Sequence, residues 1–446
     1  MVSSSVPVSS ASDRERFLAR CAEVKEAVKS FKNPLVIGHY DSDGISSTAI
    51  AVLGIRELLG KDPEVLTVRK LDDAVISQVK SRECVFVDLG SGFGGISEVK
   101  DAAVIDHHQL VGKPTIQANP LEFGIDGGFE LSASGAAYCV FRTVVDLAIV
   151  GSVGDMQYPL IGMNHWVLEQ GAKEGKISYG IDIRLFGRVS RPLLQMILYA
   201  DDPYLPGLTA NENASAQFLE QLGIDAKEGE RWLTYSELSV ESRRKFVSSL
   251  IEYLAEKGFD HAAHELIGEV YLLLERPKKS ELYDASEFST LLNACGRNRK
   301  PEIGIRTCLG ELGAFAEAKN LLAIHRKNLR DGIEFANRSV EDFGKFLFID
   351  GRGVIDDGII GVVAGMLYAG GRKKPIIAFA FDDAGNIKIS GRGTKALVEA
   401  GLNLGKSLSE SAAVVGGSGG GHRIAAGATI SRGKLPEFLK EFNSRL

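Results

Sequence analysis

Over the first 150 positions the apolar residues fall into short β-branched blocks, each closed by glycine or polar residues. Leu35-Val36-Ile37, Leu66-Thr67-Val68, Cys84-Val85-Phe86-Val87 and Ala103-Val104-Ile105 have the length and composition of buried strands. Between these blocks the apolar period lengthens to that of helices. Residues 13–32 are charged with helical spacing and stop at Asn33-Pro34. Residues 46–59 end at Gly60, 73–80 make a short helix, and 134–149 follow the last block. Strands alternating with helices predict an α/β lobe with a mostly parallel sheet.

From about residue 156 to 346 the strand signals fade, and helical patterns of Leu, Ala, Glu and Lys take over. Residues 240–257 are amphipathic, and 313–337 read as one long helix with Gly332 as its single interruption. Residues 347–446 return to α/β, with strands at 348–349, 375–381 and 387–389 and helices at 357–368, 394–402 and 434–442. The predicted architecture is α/β throughout: two α/β lobes, 13–155 and 347–446, joined by a helical insertion and a long linker helix within 156–346. The first twelve residues are Ser-rich and lack Lys and Arg, which predicts a disordered tail and not a signal peptide.

Composition narrows this further. The chain has 446 residues, 44% of them hydrophobic. No apolar run approaches the ~18–20 residues of a membrane span. Five scattered cysteines without a CxxC pair suggest buried thiols in a reducing cytoplasm and argue against a thiolate zinc site. A net charge of −6 means that any polyanion must be met by local basic patches or bound cations.

The chemistry lies where the strands stop. The first block runs into His39-Tyr40-Asp41-Ser42-Asp43-Gly44, the third into Asp88, and the fourth into Asp106-His107-His108. Ligands of open parallel sheets bind outside the carboxyl ends of the strands. Taken singly, the first motif also reads as a helix-capping turn, and Asp88 and Asp155 read as turn or cap residues. Taken together, they bring oxygen and nitrogen donors to one sheet edge, which predicts a metal site, and a two-metal one. Imidazole among the donors favours Mn²⁺ over Mg²⁺. A second signature is the glycine-rich run Gly416-Gly417-Ser418-Gly419-Gly420-Gly421, followed by His422-Arg423. Its composition fits a linker, or a loop whose amides approach phosphate oxygens, with His422 and Arg423 as cationic donors. Ser390-Gly391-Arg392 places an Arg at a strand end, suited to a bidentate phosphate contact.

With these motifs assembled, the chain resembles the DHH-family phosphoesterases that carry a C-terminal DHH-associated domain, and within them the archaeal RecJ-like single-strand-specific exonucleases. Asp106-His107-His108 matches the family's naming motif, and 39–44, Asp88 and Asp155 match its first, second and fourth. Gly419-Gly420-Gly421-His422 with Ala425-Ala426-Gly427 matches the associated domain's substrate motif. Leu291-Leu292-Asn293-Ala294-Cys295-Gly296-Arg297 is similar to the archaeal subgroup. The resemblance implies two Mn²⁺ ions, with Mg²⁺ as the alternative. His39, Asp41 and Asp88 would hold one; Asp43, Asp88, His107 and Asp155 would hold the other. Asp88 bridges, Asp106 orients a histidine and His108 contacts the scissile phosphate. Ser390, Arg392, Gly419, Gly420, Gly421, His422 and Arg423 would bind substrate. The bacterial members carry an acidic residue in place of His39 and an extra oligonucleotide-binding domain, so their polarity is not transferred. The implied function is exonucleolytic hydrolysis of single-stranded DNA or RNA in replication or repair, with replication or repair proteins as partners and no membrane. A small-substrate phosphoesterase and a replisome scaffold are the alternatives. The basic groups at 243–245, Arg276 with Lys278-Lys279, 297–300, and Arg326-Lys327 with Arg330 are candidates to track a nucleic-acid backbone.

Overall fold

In a computed structural model the described residues are 9–446, apart from 201, 202, 204, 210, 260–262, 264 and 368–372. The apolar blocks form the strands β1 (Leu35–His39), β2 (Glu64–Val68), β3 (Glu83–Val87), β4 (Asp101–Ile105) and β5 (Ile116–Ala118). They make one fully parallel sheet in the order β2-β1-β3-β4-β5. The sheet grows from β1 to one side through β2, then to the other through β3. The carboxyl ends of β1 and β3 therefore flank the topological switch point, where such sheets open a crevice.

Helices α1 (Ala11–Lys29), α2 (Ser42–Leu59) and α3 (Asp73–Val79) accompany this sheet. The expected tail of twelve residues is wrong where it can be seen. Ser10 and Asp13 form a reciprocal capping box that starts α1 at Ala11, and residues 1–8 lie outside the described part. The expected single helix over 134–149 is two, α4 (Ala133–Phe141) and α5 (Val145–Gly154). Arg142 separates them in the left-handed region at φ 57°. Its guanidinium lies over the Trp166 ring, 4.8 Å from the centroid. Asp155 thus stands as the cap of a helix C-terminus.

The insertion is not purely helical. Ile177–Ile183 and Ile267–Leu273 pair antiparallel over seven residues each. Both contain a glycine that blurs the alternation, and their separation hides the pairing from local pattern. Between them, helices Leu193–Leu198, Glu212–Gln221 and Val240–Glu256 build a separate core around Met196, Phe218, Phe246 and Leu250. The helix Ala285–Arg297 returns to the first lobe, where Phe288, Leu291 and Leu292 join the core beneath α2 and α5.

The chain divides into two compact units, residues 1–322 and 323–446, with the boundary inside the uninterrupted helix Ala314–Ser339. The second unit holds a six-stranded sheet in the order Glu341–Asp342, Leu347–Asp350, Ile376–Phe381, Ile387–Arg392, Ala425–Ile430 and Ser418–Gly421. Its helices are Ile360–Met366, Lys395–Glu399, Leu404–Val414 and Leu435–Arg445, the third of them absent from the sequence expectation. The glycine-rich run is corrected here: Ser418–Gly421 is an edge strand, hydrogen-bonded to Ala425–Ile430, and not a loop. Among the described residues no helix is long and apolar enough to cross a membrane.

Candidate metal centre

β1 delivers His39 at its carboxyl end and the chain turns at once into α2. Asp41 is the N-cap of α2, with Oδ1 accepting the Gly44 N–H at 3.0 Å. Its Oδ2 lies 3.0 Å from His39 Nδ1. Cap and ligand are therefore compatible readings of this turn, one carboxylate oxygen serving each. Asp43, in the first turn of α2, is 1% exposed. It accepts the amides of Ala133 (2.8 Å) and Ser134 (3.0 Å) at the start of α4. Orphan amides at a helix N-terminus suit a carboxylate, and they hold Asp43 at the base of the site.

Asp88 follows β3 at φ 59°, a conformation uncommon for a side-chain-bearing residue. Its N–H still reaches Ile105 O at 3.0 Å. Its two oxygens diverge: Oδ2 is 3.2 Å from His39 Nδ1, and Oδ1 is 3.3 Å from His107 Nε2. After β4, fully buried Asp106 accepts the amides of Ser91 (2.9 Å), His107 (2.8 Å) and His108 (3.2 Å). It also accepts His108 Nδ1 at 2.7 Å. Its acceptor capacity goes to fixing this turn and the half-exposed His108 ring, leaving His108 Nε2 for other contacts. His107 Nδ1 donates to the Gly127 carbonyl at 2.6 Å, which leaves Nε2 facing Asp88 Oδ1 and, at 3.4 Å, Asp155 Oδ2.

Ligand atoms of His39, Asp41 and Asp88 all lie within 4.8 Å of one another, and so do those of Asp43, His107 and Asp155. The ionisable groups of this cluster perturb one another. Burial and the neighbouring Asp88 push the Asp43 carboxyl up to about 6. Burial and Asp43 push Asp155 well above the usual carboxylate range. Burial opposes a charged imidazole, yet the hydrogen bonds with Asp41 and Asp88 lift His39 to about 11. His107 is likewise raised, with Asp88 and Asp155 overcoming burial. Crowding of the carboxylates thus raises the proton affinity of both histidines and of Asp43 and Asp155. Divalent cations replace those protons naturally, and mixed carboxylate and imidazole donors fit them.

A further group of residues supports the cluster without any role having been legible in the sequence. Asn293 Oδ1 accepts the Ser42 N–H at 3.0 Å. Gly296 lets the same helix close on the turn, since a Cβ there would sit 1.9 Å from the Tyr40 carbonyl oxygen. Gly151 is equally constrained, its Cβ position falling 2.3 Å from Asp43 Oδ1. The 291–297 motif is a brace for the metal turn, and its only sequence signal was the family resemblance.

The phosphate-binding candidates all fall in the second unit. Ser390, Gly427 and Gly420 are register partners across three adjacent strands, and Gly391, Ala426 and Gly421 form the next row. Ser390 is buried, and Arg392, half-buried, donates from Nη1 to Gly391 O at 2.9 Å. Gly419 sits in the edge strand beside Ala428. His422 and Arg423 are exposed in the turn that follows, with Arg423 Nη2 donating to Val398 O at 3.3 Å. Among the basic candidates Arg276 must be withdrawn as a backbone-tracking group. It is mostly buried, with Nε 2.6 Å from Asp146 Oδ2 and its guanidinium near the Phe288 ring. Arg244, Lys245, Lys278, Lys327 and Arg330 are exposed.

Fold and site together define a DHH-family phosphoesterase. Residues 33–148 match the DHH family N-terminal domain, 185–267 the DHH-CID domain and 344–446 the DHHA1 domain. The chain is 31% identical over 455 residues to the uncharacterized protein MJ0831 of Methanocaldococcus jannaschii, covering 95% of this chain and 97% of that protein. The chain belongs to this family. Among solved structures, CDC45 from Entamoeba histolytica shares the fold at a TM-score of 0.62 and 14% identity, over 96% of this chain and 98% of that one. RecJ from Thermus thermophilus, solved with Mn²⁺, does so at 0.57 and 18%, over 96% of this chain. The present chain spans about half, 54%, of that RecJ chain.

Proposed function

We propose that this protein is a two-metal phosphodiesterase that releases nucleotides from an end of single-stranded DNA or RNA. The observation that carries the reading is Asp88, whose two oxygens face the His39–Asp41 group and the His107–Asp43–Asp155 group separately. His39, Asp41 and Asp88 would hold one cation, and Asp43, Asp88, His107 and Asp155 the other. Bound there, such cations supply an activated water and neutralise charge on the transferring phosphoryl group. The chain's own residues do the rest. Asp43 is locked by two amides and Asp106 by three, so neither relaxes when charge develops. Asp106 holds His108 by Nδ1, which presents Nε2 of an exposed ring to a phosphate oxygen or to the leaving-group oxygen. In the second unit Arg392, His422 and the glycine edge strand are suited to further phosphates of the substrate. The two histidines among the donors make Mn²⁺ the preferred ion over Mg²⁺.

The Mn²⁺-bound RecJ fold supports the exonuclease reading, and the long insertion between the lobes favours a strand over a dinucleotide as substrate. The CDC45 fold supports service in replication or repair, and also a second reading, a replisome scaffold without chemistry. The complete donor set argues against that second reading. The test is digestion of end-labelled single-stranded DNA and RNA with Mn²⁺, alongside Asp88→Ala and a dinucleotide. A product ladder that disappears in the variant is expected. Wild-type activity in Asp88→Ala would sink the two-metal assignment, and faster turnover of the dinucleotide would move the substrate to the small-molecule class.

A further inference from the structure

The insertion has a cavity of its own, built from residues that the metal centre does not use. It measures about 430 Å³, within the roughly 300–1,000 Å³ of small-molecule sites. Its floor is one face of the two-stranded sheet, where Gly180, Val270 and Leu272 lie. Gly180 is in mid-strand, and a Cβ built on it meets nothing within 4 Å. A glycine inside a strand weakens it and commonly marks the approach of a ligand or another backbone. Among the described residues no other backbone comes within 4 Å of that position.

The walls are cationic. Arg188, Arg243, Lys278 and Lys279 line the cavity against two carboxylates, Asp182 and Glu237. Some of this charge is matched. Arg188 is held by Asp284 at 2.7 Å and Asp182 at 3.3 Å, Lys279 by Glu237 at 2.5 Å, and Arg243 lies 3.7 Å from Asp182. Lys278 has no acidic partner among the described residues. Two guanidinium nitrogens of the lining residues, Arg188 Nη2 and Arg243 Nε, are buried with no acceptor among the described residues. A buried charged donor left unmet is unfavourable. An anion in the cavity would meet the exposed part of the Arg243 guanidinium and the exposed Lys278 ammonium. Tyr283, half-buried, and the apolar floor offer a surface for a planar ring.

Cationic wall, planar apolar floor and volume point to one ligand class. We propose that this cavity is a nucleotide-binding site, separate from the metal centre, that takes the phosphate on Arg243 and Lys278 and the base over Gly180 and Tyr283.

The test is calorimetric titration of the full chain, in chelator, with AMP, adenosine and inorganic phosphate. Saturable AMP binding is expected. It should survive Asp88→Ala, weaken by roughly tenfold or more in Arg243→Ala, the size of one charge-assisted hydrogen bond, and be lost in Gly180→Leu. The new side chain in Gly180→Leu enters open space, and an unchanged melting temperature checks that the fold holds. Absence of AMP binding, or wild-type affinity in Gly180→Leu, would overturn the proposal. So would loss in Asp88→Ala, which would put the ligand at the metals. Adenosine binding as tightly as AMP would remove the phosphate from the argument, and phosphate binding as tightly would remove the base.

Discussion

Adding one methyl group at Gly296 should disable the metal centre without touching a ligand. The Cβ of Gly296→Ala would lie 1.9 Å from the Tyr40 oxygen and 2.9 Å from its carbonyl carbon. Ordinary contact begins near 3.5 Å, so helix and turn must separate by about 1.5 Å. Neither surface yields easily. The helix is anchored by Phe288, Leu291 and Leu292 in the core, and the turn is the start of α2 with Asp41 as its cap. Overpacking of this kind costs about 1–3 kcal/mol of stability. The catalytic cost is larger, because Asp41 moves relative to Asp88 and the Asn293–Ser42 bond is stretched, and a misplacement of ~1 Å can cost about 10²-fold in rate. The assay pairs urea melts with calorimetric Mn²⁺ titration and single-strand digestion at saturating metal. Gly365→Ala, where the new methyl meets nothing within 4 Å, serves as the control and should be active. Wild-type Mn²⁺ affinity and rate in Gly296→Ala would refute the brace.

Asp88→Ala should bind fewer Mn²⁺ ions per chain than wild type, because each group loses an oxygen; unchanged stoichiometry by metal analysis would contradict the bridge. Asp106→Asn should lower kcat by roughly 10–100-fold, as loss of an orienting partner does, with metal content intact; a normal kcat would detach His108 from the chemistry. Asp146→Ala leaves Arg276 unpaired where its side chain is 15% exposed, and should cost about 3 kcal/mol in urea unfolding while the salt dependence of substrate binding stays put. Burial and Asp284 push the Glu287 carboxyl up to about 8 from an ordinary 4.5, against hydrogen bonds from Val189 and Ser190. The folded chain then binds more protons than the unfolded one between those values, so this group's contribution to stability is full below about 4.5 and falls as pH rises through about 8. Glu287→Gln should flatten that part of the stability profile in melts across the range, and an unchanged slope would refute the assignment.

Much of the molecule was legible from short-range pattern alone. A β-branched block followed by Asp or His says that a strand ends in a donor, and a parallel sheet delivers all such ends to one edge. That reasoning grouped His39, Asp41, Asp43, Asp88 and His107 before any contact was known. Asp155 was legible both as a cap and as a donor, and it is the C-cap of α5; what was not legible was the break at Arg142, which sits in the left-handed region.

What only the tertiary structure decided were pairings between distant segments. Asp43 is held by amides 90 and 91 residues away, and Ser42 by Asn293, 251 residues away. No local periodicity encodes such bonds. The glycine-rich run had linker composition, yet it is a strand because Ala425–Ile430 offers it a ladder. Arg276 looked like surface charge until Asp146 was found beside it in the interior. Local sequence sets which donors stand at the ends of which elements. Packing across the chain sets which of them meet, which are neutralised, and which glycine leaves room for them to do so.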